Sequence, residues 1–179
     1  MYKKVPTYKD GEWGYKEFKE KEDFVNFILT LFKEPGQYQF DETALLFNDQ
    51  ARVFNNQSYY CNKPFRSKDY IKYWNSEKEK CQEGVLYYGK KNIFYLTRDY
   101  YMWLNFLPIF DKEEKKYGFA KVRDAQYHMA LYELLAELYH KHVAILKKRQ
   151  IASSYFHMAK VLNQFWFEEG SICKIGASL

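Results

Sequence analysis

The window Lys147-Lys148-Arg149-Gln150-Ile151-Ala152-Ser153-Ser154 gathers residue types that bind a polyphosphate. It follows a short apolar run, His142-Val143-Ala144-Ile145-Leu146, and opens a helical pattern over 153–167. A strand–turn–helix of this kind aims backbone N–H groups at one spot, where the helix dipole favours an anion. A lysine then supplies charge to the terminal phosphates, and a hydroxyl at the helix start ligates Mg²⁺. Against G-x-x-x-x-G-K-[ST], only Ser154 falls on its position. Lys147 and Ala152 stand at the two glycines, and Ser153 stands at the lysine. From the pattern alone, a basic strand-to-helix turn on a solvated edge is the plainer reading.

Gln126 lies 21 residues before Lys147, near the start of the preceding helical pattern. One amide there can make two hydrogen bonds to an adenine. The competing expectation is a polar first-turn residue facing water. His140 and His142 close that helix and suit its negative C-terminal end better than a metal. Ser153, Ser154 and His157 lack the G-x-S-x-G turn of a hydrolase. Two apolar runs lead to an acid, Ile93-Phe94-Tyr95-Leu96 to Asp99 and Leu107-Pro108-Ile109-Phe110 to Asp111. Thr97 and Arg98 interrupt the first, and Pro108 disfavours the second as a central strand. Neither reads as the Mg²⁺-binding acid of an ATPase.

These groups must be held by elements that the pattern also outlines. Residues 1–20, polar and aromatic with Gly11 and Gly14, read as a loosely held arm. Phe24, Phe27, Ile28, Leu31 and Phe32 mark a helix over 21–34, stopped by Pro35-Gly36. Residues 37–66 read as loop with one short helix near 42–54. Ser67 caps a helix over 68–82 closed by Gly84. Runs 85–88 and 93–96 make a β-hairpin. Thr97 caps a short aromatic helix over 98–106, and Pro108 forces extended chain. Residues 111–118 are a charged surface turn. Asp124 caps a helix over 124–140. A strand over 142–146, the basic loop, a helix over 153–167 and a strand over 171–176 then form a βαβ unit, which implies a parallel sheet.

Composition narrows the class. The chain has 179 residues, 21% aromatic, with 18 Tyr and 15 Phe. That is too aromatic for a disordered tail. No run is long and apolar enough for a membrane span. The start, with Pro6 and Asp10 in place of an apolar stretch, does not read as a secretory signal. Cys61, Cys81 and Cys173 are odd in number and far apart, so they read as small buried hydrophobes in a reducing cytosol. Net charge is +5, from 28 Lys+Arg against 23 Asp+Glu, and permits contact with nucleic acid without demanding it. Residues 141–160 carry Lys141, Lys147, Lys148, Arg149 and Lys160 and no acid. Exposed, the aromatics would stack on bases. Buried, they are core, and adjacent rings such as Tyr87-Tyr88 face different sides, so that some are partly exposed or covered by the N-terminal arm.

The run 145–154 resembles the deviant Walker A loop of tailed-phage large terminase subunits. There the phosphate lysine often opens the loop, followed by an Arg-rich turn, a Gly, one variable residue and Ser. Lys147 matches the lysine, Arg149-Gln150 the basic turn and Ser154 the metal-binding hydroxyl. Ala152 departs from the Gly, and its Cβ narrows the backbone's approach to phosphate. Tyr95-Leu96-Thr97-Arg98-Asp99-Tyr100-Tyr101-Met102-Trp103-Leu104-Asn105-Phe106-Leu107-Pro108-Ile109 resembles the "aromatic-x-x-LN-aromatic-x-PI" block upstream of the ATPase in that family. Gly84, Trp74 and Cys81 look like the same region. The resemblance covers roughly residues 65–179.

It implies an α/β fold, an α+β N-terminal part leading into the start of a P-loop NTPase parallel sheet. Residues 1–120 would form an N-terminal or lid subdomain, and residues 121–179 would begin the ATPase core. It further implies ATP and Mg²⁺ as cofactors. Lys147 would contact the β/γ phosphates, and Ser154 would hold the metal. Arg149 and Gln150 would shape the loop, and the backbone of Ile151, Ala152 and Ser153 would supply the anion nest. Implied partners are double-stranded DNA, the phage portal, the small terminase subunit and further copies of the full-length chain, in the cytoplasm of an infected bacterium. The Walker B acid and the nuclease would lie beyond Leu179, so this chain would not turn over ATP efficiently. The alternative is a non-enzymatic nucleic-acid- or protein-binding module with a basic, aromatic surface.

Overall fold

Residues 1–20 are not a loose arm. They form a β-hairpin, β1 (Lys3–Lys9) and β2 (Glu12–Phe18), paired in antiparallel register from Lys3↔Phe18 to Lys9↔Glu12. The turn is Asp10-Gly11, with φ of 51° and 90°. A two-residue turn of this hand needs positive φ at both positions, which Asp tolerates and Gly adopts freely. Pro6 disguised the strand, because proline cannot donate to a ladder. The parallel pairing to the next strand begins after it, at Thr7↔Leu86.

The structure is a computed structural model that describes residues 1–34, 36–40, 61, 63–90, 92–111, 115–120, 122–146 and 153–172. The helix expected near 42–54 therefore lies outside the described residues. So do Cys173 and the loop residues Lys147, Arg149, Gln150, Ile151 and Ala152.

The fold mixes α and β. Helix α1 (Lys21–Thr30) starts in a capping box between Glu20 and Asp23. Helix α2 (Lys68–Glu83) starts at Ser67, whose Oγ accepts the Tyr70 N–H at 3.1 Å. Strands β3 (Val85–Tyr88) and β4 (Ile93–Leu96) form the expected hairpin. Thr97 caps α3 (Arg98–Phe106) through the Tyr100 N–H at 3.4 Å. The charged segment after Pro108 is more than a turn: β5 (Pro108–Asp111) pairs with β6 (Lys116–Phe119). Helices α4 (Asp124–Leu138) and α5 (Ser153–Phe167) follow. The main sheet has the order β2-β1-β3-β4, with β1 and β3 parallel.

Side chains alternate across this sheet. On one face Phe24 of α1 meets Phe18 and Tyr95 at ring distances of 5.0 and 5.6 Å. On the other, Tyr8, Trp13 and Tyr87 cluster, and the Lys80 ammonium of α2 sits 3.9 Å from the Trp13 ring. The N-terminal hairpin thus covers Tyr87, as expected. Cys61 and Cys81 are buried thiols.

Two expectations need correction. Residues 141–146 form no strand; they run irregularly, with Ile145 and Leu146 exposed. An apolar run becomes a strand only where a neighbour takes up its N–H and C=O groups, and none does among the described residues. Residues 171–172 are likewise irregular. The parallel pairing observed lies in the N-terminal half. No helix among the described residues is long and apolar enough to cross a membrane.

Gly84 closes α2 at φ 76°, its N–H bonded to the Lys80 carbonyl at 2.9 Å. A Cβ there would lie 2.5 Å from the Leu96 carbonyl oxygen and 2.6 Å from Tyr95 Oη. Gly84→Ala should therefore lower unfolding stability by about 2–3 kcal/mol, from backbone strain and overpacking together. Urea denaturation measures this, and a loss below about 1 kcal/mol would contradict the packing described.

Candidate functional site

Helix α5 is described from Ser153, which with Ser154 ends the basic window. Ser153 is buried and Ser154 exposed. Gln126 lies in the first turn of α4 and is 3% exposed, so the expectation that it faces water is overturned. Asp124 does not act as the N-cap, which is Arg123. Its Oδ2 instead accepts the N–H groups of Gly36 and Tyr38 at 3.0 and 3.2 Å, tying the segment after α1 to the start of α4.

The relation between α4 and α5 follows from their charged contacts. Glu133 Oε1 accepts from His157 Nε2 at 2.9 Å, and Glu133 Oε2 accepts from Lys160 Nζ at 3.0 Å. Lys160 also pairs with Glu137. These contacts join the middle of α4 to the first two turns of α5. Arg98 pairs with Glu137 near the end of α4 and with Glu168 just past α5.

A line of charge runs along this seam. His157 Nδ1 donates to the Ser153 carbonyl at 2.7 Å. Glu133, Lys160, Glu137 and Arg98 follow, and Arg98 also lies 3.7 Å from Asp99. Asn163 of α5 donates to Asp99 Oδ1 at 2.8 Å and to the Cys81 carbonyl at 2.9 Å. The bond to Glu133 is the main reason the His157 imidazole is held above its ordinary pKa, against the pull of burial. Burial pushes the Glu133 carboxyl up, but His157 and Lys160 together bring it below its usual value. Burial raises Asp99, an effect that Arg98 and Asn163 only partly offset.

Sequence reading missed this seam. Its signal was present: Glu133 and Glu137 are four apart on one helix, and His157 and Lys160 are three apart on the next, so each pair shares a face.

A cavity of about 160 Å³ opens between the C-terminal ends of α2 and α5, lined by Glu83, Arg98, Asn163 and Glu168 among others. It is smaller than the roughly 300–1,000 Å³ of a ligand pocket, and it lies at the opposite end of α5 from Ser153. Its one guanidinium is already shared by three carboxylates. It is therefore not the phosphate site that the sequence points to. No group of three or more acidic, Cys or His side chains able to hold a metal occurs among the described residues.

Comparison with known proteins places no family on this chain: no family model, curated protein or solved structure matches it.

The two shifted pKa values set a pH window. His157, raised, contributes stability that is complete below about 6.5 and lost as pH rises through its folded value. Glu133, lowered, contributes stability that is complete above about 4.5 and lost as pH falls through its folded value. Glu133→Gln should cost about 1–3 kcal/mol near pH 6, because it removes the charge that two cations share. The cost should shrink as His157 deprotonates. Chemical denaturation of both proteins at pH 6 and pH 9 gives the comparison, and an equal loss at both would refute the linkage.

Proposed function

We propose that this chain is the N-terminal part of a tailed-phage large terminase subunit, a DNA-packaging ATPase, and that it binds Mg²⁺–ATP at the start of α5. The observation that carries this reading is the pairing of His157 and Lys160 of α5 with Glu133 of α4. It joins the helix that begins near Gln126 to the opening turns of the helix that follows the basic window in sequence. A nucleotide site of the P-loop kind needs that order: a helix, a return, a phosphate loop and a second helix whose N-terminus faces the anion.

A second feature of α5 supports the same reading. Its inner face buries Phe156 and Ala159, and Phe156 meets Trp103 of α3 at a ring distance of 5.8 Å. Its outer face carries Tyr155, Met158, Phe165 and Trp166, all exposed. With Leu162 these fall in one stripe about 100° wide. A helix apolar on two sides suits a position between two layers.

Lys147 then meets the β/γ phosphates, Ser154 the metal and Gln126 the base. Arg149, Gln150 and the backbone of Ile151 and Ala152 complete the loop. Double-stranded DNA, the portal, the small subunit and further copies are partners of the whole motor, in the infected bacterium's cytoplasm.

Calorimetry with a non-hydrolysable ATP analogue and Mg²⁺ tests the proposal. Lys147→Ala should weaken binding about 10- to 100-fold, matching the loss of a charge-assisted phosphate contact worth about 1.5–3 kcal/mol. Equal affinity in the two proteins would exclude the role of Lys147. Binding of DNA alone, falling steeply with salt and indifferent to Mg²⁺, would favour the non-enzymatic binding module.

A further inference from the structure

The outer face of α5 is apolar, exposed and free of charge. Tyr155, Met158, Phe165 and Trp166 are 53%, 45%, 68% and 60% exposed, and Leu162 between them is half-buried. At about 100° per residue, this stripe lies roughly opposite the side that carries His157 and Lys160, which turn to Glu133 of α4. Lys160 is the only Asp, Glu, Lys or Arg in the helix, so the stripe itself carries no charge. Applied to side chains of roughly 150–250 Å², the exposed fractions leave about 500 Å² of apolar surface bare. A monomer seldom leaves more than that in one patch, and patches of this size mark contact sites.

The spacing points to the partner. Tyr155, Met158, Leu162 and Phe165 stand three, four and three residues apart, which is the spacing of the two core positions of a coiled-coil heptad. A short seam of that spacing packs against another helix. Laid antiparallel on its own copy, about a twofold axis at the level of residue 160, the seam closes on itself. Tyr155 then meets Phe165 of the second copy, and Met158 meets Leu162, with each layer occurring twice. Every layer joins two apolar side chains, and no charge opposes its like. A nucleic acid would require cations that this face lacks. The two stripes together bury about 1,000 Å², near the lower limit for a specific interface, so the pair comes apart on dilution.

We infer that the outer face of α5 is a docking surface for a second copy of this chain, joined as an antiparallel helix pair about a twofold axis. The inference does not rest on the nucleotide reading, and association is measured without nucleotide.

Sedimentation equilibrium of the chain at about 1–100 µM tests it. A monomer–dimer equilibrium within that range is expected, and a monomer throughout overturns the proposal. Phe165→Glu and Tyr155→Lys each put a charge into two layers of the symmetric pair and should weaken association at least about tenfold. Unchanged association in either variant overturns the proposal. Mixed in equal amounts, the two variants set one glutamate against one lysine and leave the other outer layer as Tyr155 against Phe165. The mixture should therefore associate more tightly than either variant alone. A mixture no tighter than its components overturns the antiparallel pairing. Both side chains are exposed, so thermal unfolding of the dilute variants should stay within about 3 °C of the unaltered chain. A larger drop would show the face already packed within one copy and would overturn the docking surface.

Discussion

The burial of α3 is the constraint on which the remaining elements depend. Every side chain from Asp99 to Asn105 is buried, on a helix of nine residues. A helix apolar all round must be surrounded, and α2, α4, α5 and the β5–β6 hairpin surround this one. Trp103 shows how the balance falls. Its indole N–H has no hydrogen-bond partner among the described residues, a loss of about 1–3 kcal/mol. Burying the ring itself contributes about 4–6 kcal/mol at the usual area coefficient, so burial wins.

The polar groups carried inside by α3 dictate which neighbours can pack there. Asp99 needs a donor, and Asn163 of α5 supplies it while also bonding the last turn of α2 at Cys81. Tyr101 donates to the buried Glu77 of α2 at 2.7 Å, and Glu77 in turn holds Lys80, whose ammonium lies over Trp13 of the N-terminal hairpin. Asn105 turns back to the Tyr101 carbonyl. One short helix thus fixes the lateral positions of α2, α5 and, through Lys80, of β2. Arg98, at its entrance, gathers Glu137 from the last turn of α4 and Glu168 from just past α5. The proposed nucleotide end of α5 inherits its placement from these contacts at the other end of the helix.

Local elements were legible where one residue carries the signal. Ser67 and Thr97 cap the helices that their positions predict, and Gly84 ends α2 because its φ is positive. The β3–β4 hairpin also falls where the pattern puts it. The N-terminal hairpin was written in Asp10-Gly11 with alternating side chains, but Pro6 and the high polarity of β2 hid it. Its strand polarity has a physical cause: Lys4 and Lys16 lie over the rings of Tyr15 and Phe27 instead of leaving the sheet. The run at 142–146 misled for the opposite reason, since apolar content says nothing about which strand is available to pair with it.

The sequence by itself determined the caps, the turns and the chemical character of the basic window, because each depends on residues within a few positions of one another. Tertiary structure decided that β1 lies inside a sheet beside β3, that Gln126 is buried and that His157 and Lys160 of α5 meet Glu133 of α4. It also decided the environment of His157, whose imidazole is held above its ordinary pKa because Glu133, on another helix, is brought within hydrogen-bonding distance. Contacts of this kind join residues tens of positions apart, and their energies depend on burial and distance, which no local pattern records.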